Sequence, residues 1–242
     1  MSIILTSTNF EELKKFMLES NLKKIFSFIN SYSIHLFNNN KKFKTSISND
    51  YNINLIDGAP VALILSLKRF KKFKRTTGPD FTNFLLNDND LMKDRKHFFI
   101  GLEEKDLEVL FNKYPLLKKE NVIVYNPPYI ETLEFQTEEI NKICRMVNKF
   151  STNYLWIGIG NLKQEILANI LFNKVSIGYI FNVGAALDFI TSKKKRAPKI
   201  FQKCGLEWAY RLCTDFRHSW KKVWRSFSSM FLMLKKIEVK RL

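Results

Sequence analysis

The chain has 242 residues, 45% of them hydrophobic, and a formal charge of +17. That length and apolar content can bury a substantial core in one large domain, or in a domain with an appendage, and exclude a disordered chain. The charge asks for an anionic partner: nucleic acid, an anionic membrane or a phosphorylated substrate. The cysteines, Cys144, Cys204 and Cys213, are odd in number and lack CxxC spacing. They signal neither a disulfide framework nor a zinc cluster and fit a reducing cytoplasm. No N-terminal run has the order of a signal peptide, and no apolar stretch reaches the roughly 18 residues that span a bilayer. Contact with a membrane is therefore expected at its surface.

In chain order, residues 3 to 6 predict a short strand and residues 9 to 19 a helix with Phe10, Leu13, Phe16 and Met17 on one face. KKIFSFIN (23 to 30) is a second strand. A helical stretch and a polar segment, NNNKKFKTSISND, lead to the strand NINLI at 52 to 56. VALILSLKRF reads as a helix, residues 97 to 102 as a strand, DLEVLFNKYP as a helix and residues 121 to 126 as a strand. EEINKICRMVNKF is helical, residues 154 to 160 form a strand that enters the helix LKQEILANILF, and residues 175 to 184 close the series. Strands that are apolar throughout, alternating with amphipathic helices, imply a Rossmann-like α/β body, a mostly parallel sheet with helices on both faces.

After Pro198 come the helix-like IFQKCGLEWAYRL and a tail, residues 215 to 242, without a strand pattern. From Lys193 onward fifteen Lys or Arg face three acids, so +12 of the charge sits in the last fifty residues. A boundary near residue 192 follows: a body over 1–192 and a basic, helical C-terminal appendage over 193–242. The appendage sets Trp220, Trp224, Phe227 and Phe231 at helical spacing with Lys221, Lys222 and Arg225 between them. Aromatics that enter the headgroup region beside cations that meet anionic lipid make an interfacial helix, each cation contributing on the order of 1 kcal/mol. A helix packed on the body or on a partner subunit is the plainer reading.

In parallel sheets ligands bind beyond the carboxyl ends of the strands. Asn30, Asp57, Gly158, Gly160 and Gly184 all fall at predicted strand ends. Asp57, before Gly58, is a carboxylate where a ligand would sit, or simply a helix cap. GIGNLKQE (158 to 165) follows a strand and opens a helix, whose N–H groups and dipole suit a diphosphate. Lys163 stands where a dinucleotide fingerprint needs glycine. RTTGPDF (75 to 81) supplies Arg75, Thr77, Gly78 and Asp80, or a turn with a capped helix. Asp88-Asn89-Asp90 has a DxD form, but it lies in a polar NDND loop and reads as chance. His35, His97 and His218 are too scattered for a triad or metal site.

LIDGAP (55 to 60), RTTGPDF, GIGNLKQE and GAALDFITSKKKRAPKIFQKCGLEWAYRL (184 to 212) occur in one order. In that order they resemble the motifs of the WecG/TagA/CpsF glycosyltransferases (glycosyltransferase family 26), over roughly residues 25 to 225. The resemblance implies an inverting transfer from a UDP-sugar, such as N-acetylmannosamine, its uronic acid or a related hexose, to a polyprenyl-diphosphate-linked acceptor in bacterial surface polysaccharide synthesis. It implies Asp57 as the base that takes the acceptor hydroxyl's proton. Asn30, Arg75, Thr77, Gly78, Asp80, Gly158, Gly160, Gln164, Glu165, Gly184 and Asp188 would bind the donor. No metal or other cofactor is expected, so Arg196 and Arg211 are the candidates to offset the leaving diphosphate. The appendage would bind the cytoplasmic face of the plasma membrane and complete the site; a homo-oligomer is possible. This chain departs from the family at Phe28, where Thr is common, at Leu162, where Pro is usual, and at Ala185-Ala186, where a Gly is more frequent. Two alternatives stay open: a basic nucleic-acid-binding protein and an inactive nucleotide-binding scaffold.

Overall fold

The computed structural model describes residues 2–214, 216–228 and 237–242; of Arg211, Arg217, His218, Phe227 and Ser228 it describes the backbone alone. The chain opens with β1 (Ile3–Ser7), α1 (Phe10–Glu19), β2 (Lys24–Ile29), α2 (Ser31–Asn39), α3 (Lys41–Ile47) and β3 (Asn52–Ile56). Next come α4 (Ala59–Arg69), α5 (Gly78–Leu86), α6 (Asn89–Met92), β4 (His97–Ile100), α7 (Leu107–Lys113) and β5 (Val122–Tyr125). α8 (Thr137–Lys149), β6 (Tyr154–Ile157), α9 (Lys163–Phe172), β7 (Tyr179–Asn182) and α10 (Ala186–Ile190) follow. The end of the chain carries α11 (Lys199–Lys203), α12 (Glu207–Thr214), α13 (Phe216–Ser228) and β8 (Ile237–Arg241).

All eight strands join one sheet in the order β5-β4-β6-β7-β2-β3-β1-β8, and every pairing is parallel. Alternate residues of one strand feed opposite cores, as the two-residue period of a strand requires. Phe26 and Phe28 of β2 pack with Leu13 of α1, Phe81 of α5 and Leu187 of α10. Ile25 and Ile29 face the other way. Ile29 packs with Ile34 of α2, Phe43 of α3 and Val61 of α4, and Ile25 with Ile143 of α8 and Leu167 of α9. The α/β, Rossmann-like arrangement expected from apolar strands between amphipathic helices is the one observed.

The polar segment at 38–50 holds a helix: Asn40 caps α3 by accepting the Phe43 N–H at 2.9 Å, and Phe43 and Ile47 bury one face of the helix. One local expectation needs correction. The tail does contain a strand. IEVKR alternates apolar and charged residues, and β8 pairs along the whole of β1, from Ile3 with Ile237 to Ser7 with Arg241. Only Ile237 of β8 is buried, which is why so short and charged a stretch does not stand out by composition. An edge strand of this kind is guarded by its charges.

Candidate active site

Because the sheet is wholly parallel, the ends of β4, β6, β7, β2 and β3 lie side by side along one edge. α2, α4, α5 and α9 begin there, so their positive dipole ends share that edge and favour an anion. Asp88 and Asp90 belong elsewhere: α5 runs away from the edge, and both carboxylates pair with Lys14 of α1, at 2.9 and 2.6 Å.

The turn after β3 folds back over the end of β2. Asp57 N–H donates to Ile29 O at 3.0 Å, and a Cβ on Gly58 would stand 3.1 Å from Asn30 Cα. The Asp57-Gly58 turn therefore rests directly on Asn30. Asn30 caps α2, its Oδ1 accepting the Ser33 N–H at 3.1 Å. Gly58, not Asp57, occupies the cap position of α4, with no side-chain cap. Asp57 is half-buried at the mouth of this turn.

The end of β6 builds a second wall. A Cβ on Gly158 would lie 2.4 Å from Leu187 Cδ1 and 3.1 Å from Gly184 O, so the backbones of the β6 and β7 turns touch only because residue 158 has no side chain. Asn161 Nδ2 donates to Ser33 Oγ at 3.4 Å and ties this wall to α2, beside Asn30. Leu162 has φ 78°, a region closed to the Pro usual in the family. Its N–H, which Pro would lack, donates to Glu165 Oε2 at 2.7 Å. The departure at 162 and the orientation of Glu165 are thus one local solution.

Glu165 and Gln164 point inward. Both are only 3% exposed, and burial pushes the Glu165 carboxyl up to about 7. Gln164 Nε2 donates to Glu165 Oε1 at 2.9 Å and to Asn182 O at 3.2 Å. Its Oε1 has no hydrogen-bond partner among the described residues and lies 3.3 Å from where a Gly184 Cβ would be. The acceptor capacity of this buried amide oxygen, between the β6 and β7 turns, is unused among the described residues.

The RTTGPDF turn closes the third side. Thr76 N–H donates to Ile56 O at 2.7 Å, and Gly78 begins α5 above Phe28 and Val183, with space for a Cβ 3.4 Å from Val183 O. Phe28, in place of the usual Thr, packs on Phe81 with ring centroids 5.3 Å apart. It is a core residue under the turn.

Arg196 clamps this turn. Its Nη1 pairs with Asp80 Oδ1, its Nε with Glu207 Oε1 at 3.0 Å, and its Nη2 reaches Thr77 Oγ1 at 3.4 Å. Burial opposes the ionised Asp80, but hydrogen bonds from Arg196 and Thr77 outweigh it and hold the carboxyl below its usual range. Arg75 is engaged by Gln202 O at 2.6 Å and by Glu207, and Asp188 by Lys194 at 2.7 Å. Arg196 and Arg75 thus tie the RTTGPDF turn to Gln202 and Glu207, their charges already largely matched. The side chain of Arg211 lies outside the described residues, as do Phe231 and the side chain of Phe227.

The structure brings Asn30, Asp57, Gly158, Gln164 and Gly184 to one edge, with Thr77, Gly78 and Asp80 beside them. Four participants escape the sequence reading: Ser33 and Asn161, which link two walls, Tyr129, and Gly205. Lys163 Nζ bonds Ile130 O and lies 4.4 Å from the Tyr129 ring, pinning the loop after β5 to the start of α9. The Pro127-Pro128 pair is the only signal of a fixed loop there. Among the described residues no His, Cys, Asp or Glu cluster could hold a metal ion.

α13 packs across α2. Its Phe216, Trp220 and Trp224 are exposed, 59%, 47% and 65%, and stack in a row with centroids 5.5 and 6.0 Å apart. No helix among the described residues is long and apolar enough to cross a membrane.

Over 151 residues, 61% of this chain and 54% of the relative, the sequence is 29% identical to an N-acetylglucosaminyldiphosphoundecaprenol N-acetyl-beta-D-mannosaminyltransferase of Staphylococcus aureus strain NCTC 8325. It is 32% identical over 103 residues to the protein of the same name from strain MRSA252, 43% of this chain and 39% of that one. The chain thus spans about half the length of the curated relatives it matches. The sequence model of the Glycosyl transferase WecG/TagA/CpsF family matches residues 2–241, nearly end to end, and the chain belongs to that family.

Proposed function

We propose that the chain transfers a sugar, N-acetylmannosamine or a close relative, from a UDP-sugar to a polyprenyl-diphosphate-linked acceptor, with inversion, in the making of a bacterial surface polysaccharide. The carrying observation is that the Asp57-Gly58 turn is seated on Asn30, at the same sheet edge where α9 begins and where Asn161 is bonded to Ser33. In this reading the acceptor hydroxyl gives its proton to Asp57 as its oxygen attacks the anomeric carbon. The bond from that carbon to the diphosphate breaks on the opposite face and UDP leaves with the electron pair. One carboxylate suffices because the diphosphate is a good leaving group. Its charge is offset by the clustered helix N-termini and by basic side chains rather than by a metal. Gln164 Oε1 is the open acceptor for a sugar hydroxyl or amide N–H. The aromatic row of α13, with Lys221, Lys222 and Arg225, holds the enzyme on the inner face of the plasma membrane.

Asp57→Asn tests the reading. UDP-sugars are screened against a polyprenyl-diphosphate-linked N-acetylglucosamine with product analysis by mass spectrometry. The variant is expected to keep UDP binding and to lose transfer by a factor of about 10²–10⁴, the usual contribution of a general base. Equal activity in wild type and variant overturns the role of Asp57.

A further inference from the structure

We infer that the cleft between the start of α4, the segment 72–77 and the turn at 203–205 is a second anion subsite, which takes the diphosphate of the lipid-linked acceptor. This rests on the transferase reading above. After α4 the chain doubles back along that helix: Phe73 N–H donates to Ser66 Oγ at 2.9 Å and Thr76 N–H to Ile56 O at 2.7 Å. A cleft of about 440 Å³ remains, lined by Ala59, Lys72, Lys74, Lys203 and Cys204 among others. Ala59 is two residues past Asp57, so the cleft opens beside the proposed base. None of its lining residues belongs to α9, whose start suits the donor diphosphate.

Its charge is one-sided. Residues 68–75, KRFKKFKR, hold six cations, and no acid occurs between Asp57 and Asp80. Asp80 lines the cleft too, but its charge is matched by Arg196. No ion pair engages Lys72, Lys74 or Lys203 among the described residues. Three uncommitted ammonium groups converging on one cleft suit a multivalent anion.

The wall continues in the form a prenyl chain needs. Ala59, Leu63 and Leu67 recur at helical spacing on one stripe of α4, and Phe70 follows at the end of the helix. Leu63, Leu67 and Phe70 are 61%, 67% and 97% exposed. α4 and α2 share one core on the same face of the sheet, and α13 packs on α2. The stripe therefore lies on the side of the molecule that carries the aromatic row. A nucleotide has no use for such a stripe, whereas a prenyl diphosphate matches both the cations and the apolar path.

Cys204 reports on the cleft. The full chain is alkylated with iodoacetamide and Cys204 and the exposed Cys213 are quantified by peptide mass, with farnesyl diphosphate, UDP or neither present. Farnesyl diphosphate is expected to slow Cys204 labelling at least fivefold, with Cys213 changed less than twofold and UDP without effect. Lys72→Ala with Lys203→Ala is expected to abolish that protection and to raise the acceptor KM about tenfold, with the donor KM within twofold. Unprotected Cys204, equal protection by UDP, or protection that survives the double substitution overturns the subsite. Protection in a chain that transfers no sugar would instead leave the subsite standing and remove the transferase reading.

Discussion

Gly205, in the turn between α11 and α12, sits directly on Ala59 at the start of α4: a Cβ at 205 would stand 2.5 Å from Ala59 Cβ. With φ at +73°, the position also disfavours any side chain. Both constraints act at the seam that joins the C-terminal segment to the proposed site. Gly205→Ala is expected to cost about 1–2 kcal/mol in stability and to push the 203–205 turn off α4. Urea denaturation measures the first effect, and faster alkylation of Cys204 the second. A variant with wild-type stability and labelling would show that the seam is loose.

Glu165 gives the fold a pH dependence. Its carboxyl is pushed up to about 7 by burial, while in the unfolded chain it titrates near 4.3. Below that value both states hold the proton and the contribution to stability is complete. As pH rises toward 7 the unfolded state releases the proton first, so stability falls, levelling off above 7. The drop is of order 3 kcal/mol. Glu165→Gln, which keeps an acceptor for the Leu162 N–H, is expected to flatten the slope between pH 5 and 7 in urea titrations. An unchanged slope would mean that another group sets it.

Much of this site was legible because the fold is simple to read. Each strand is apolar throughout, so the parallel sheet follows, and a parallel sheet places Asn30, Asp57, Gly158 and Gly184 on one edge by topology alone. What lay beyond reach were contacts between segments distant in sequence. Nothing local in Asn161 announces a bond to Ser33, and nothing in Gly205 a seat on Ala59. For Arg196 a single sequence shows the charge but not its pairing with Asp80 and Glu207. β8 was hidden because an edge strand buries one residue in five, and IEVKR carries the charges of a solvated tail.

Arg196 holds two carboxylates from different segments, Asp80 of α5 and Glu207 of α12. Its side chain is 20% exposed, that of Glu207 19% and that of Asp80 46%. Removing the guanidinium leaves like charges facing each other, a loss of about 2 kcal/mol once the exposure of Asp80 is allowed for. Arg196→Ala is expected to lower the melting temperature by several degrees. It also frees α12, so proteolysis near residue 205 should accelerate before the body unfolds. Arg196→Lys, with one ammonium for a two-armed fork, is expected to recover only part of the loss. Full recovery by Lys would reduce the clamp to simple charge balance.

The row formed by Phe216, Trp220 and Trp224 is costly to leave in water and contributes little to the core, since about half or more of each residue is exposed. Large rings so placed belong at an interface. Lys221, Lys222 and Arg225 on the same helix favour an anionic one, and their share of the binding weakens with salt whereas the rings' share does not. Trp220→Ser with Trp224→Ser is therefore expected to lower partitioning onto phosphatidylglycerol vesicles by at least tenfold at 0.15 M salt. Unfolding by urea should shift less than vesicle binding does, because neither side chain belongs to the buried core. Lys221→Gln with Lys222→Gln should weaken binding at low salt and leave the high-salt remainder intact. If the double Trp variant binds vesicles as the wild type does, the helix meets a protein surface instead, and a concentration-dependent change in sedimentation of the wild type, absent in the variant, would identify that surface as a second copy of this chain.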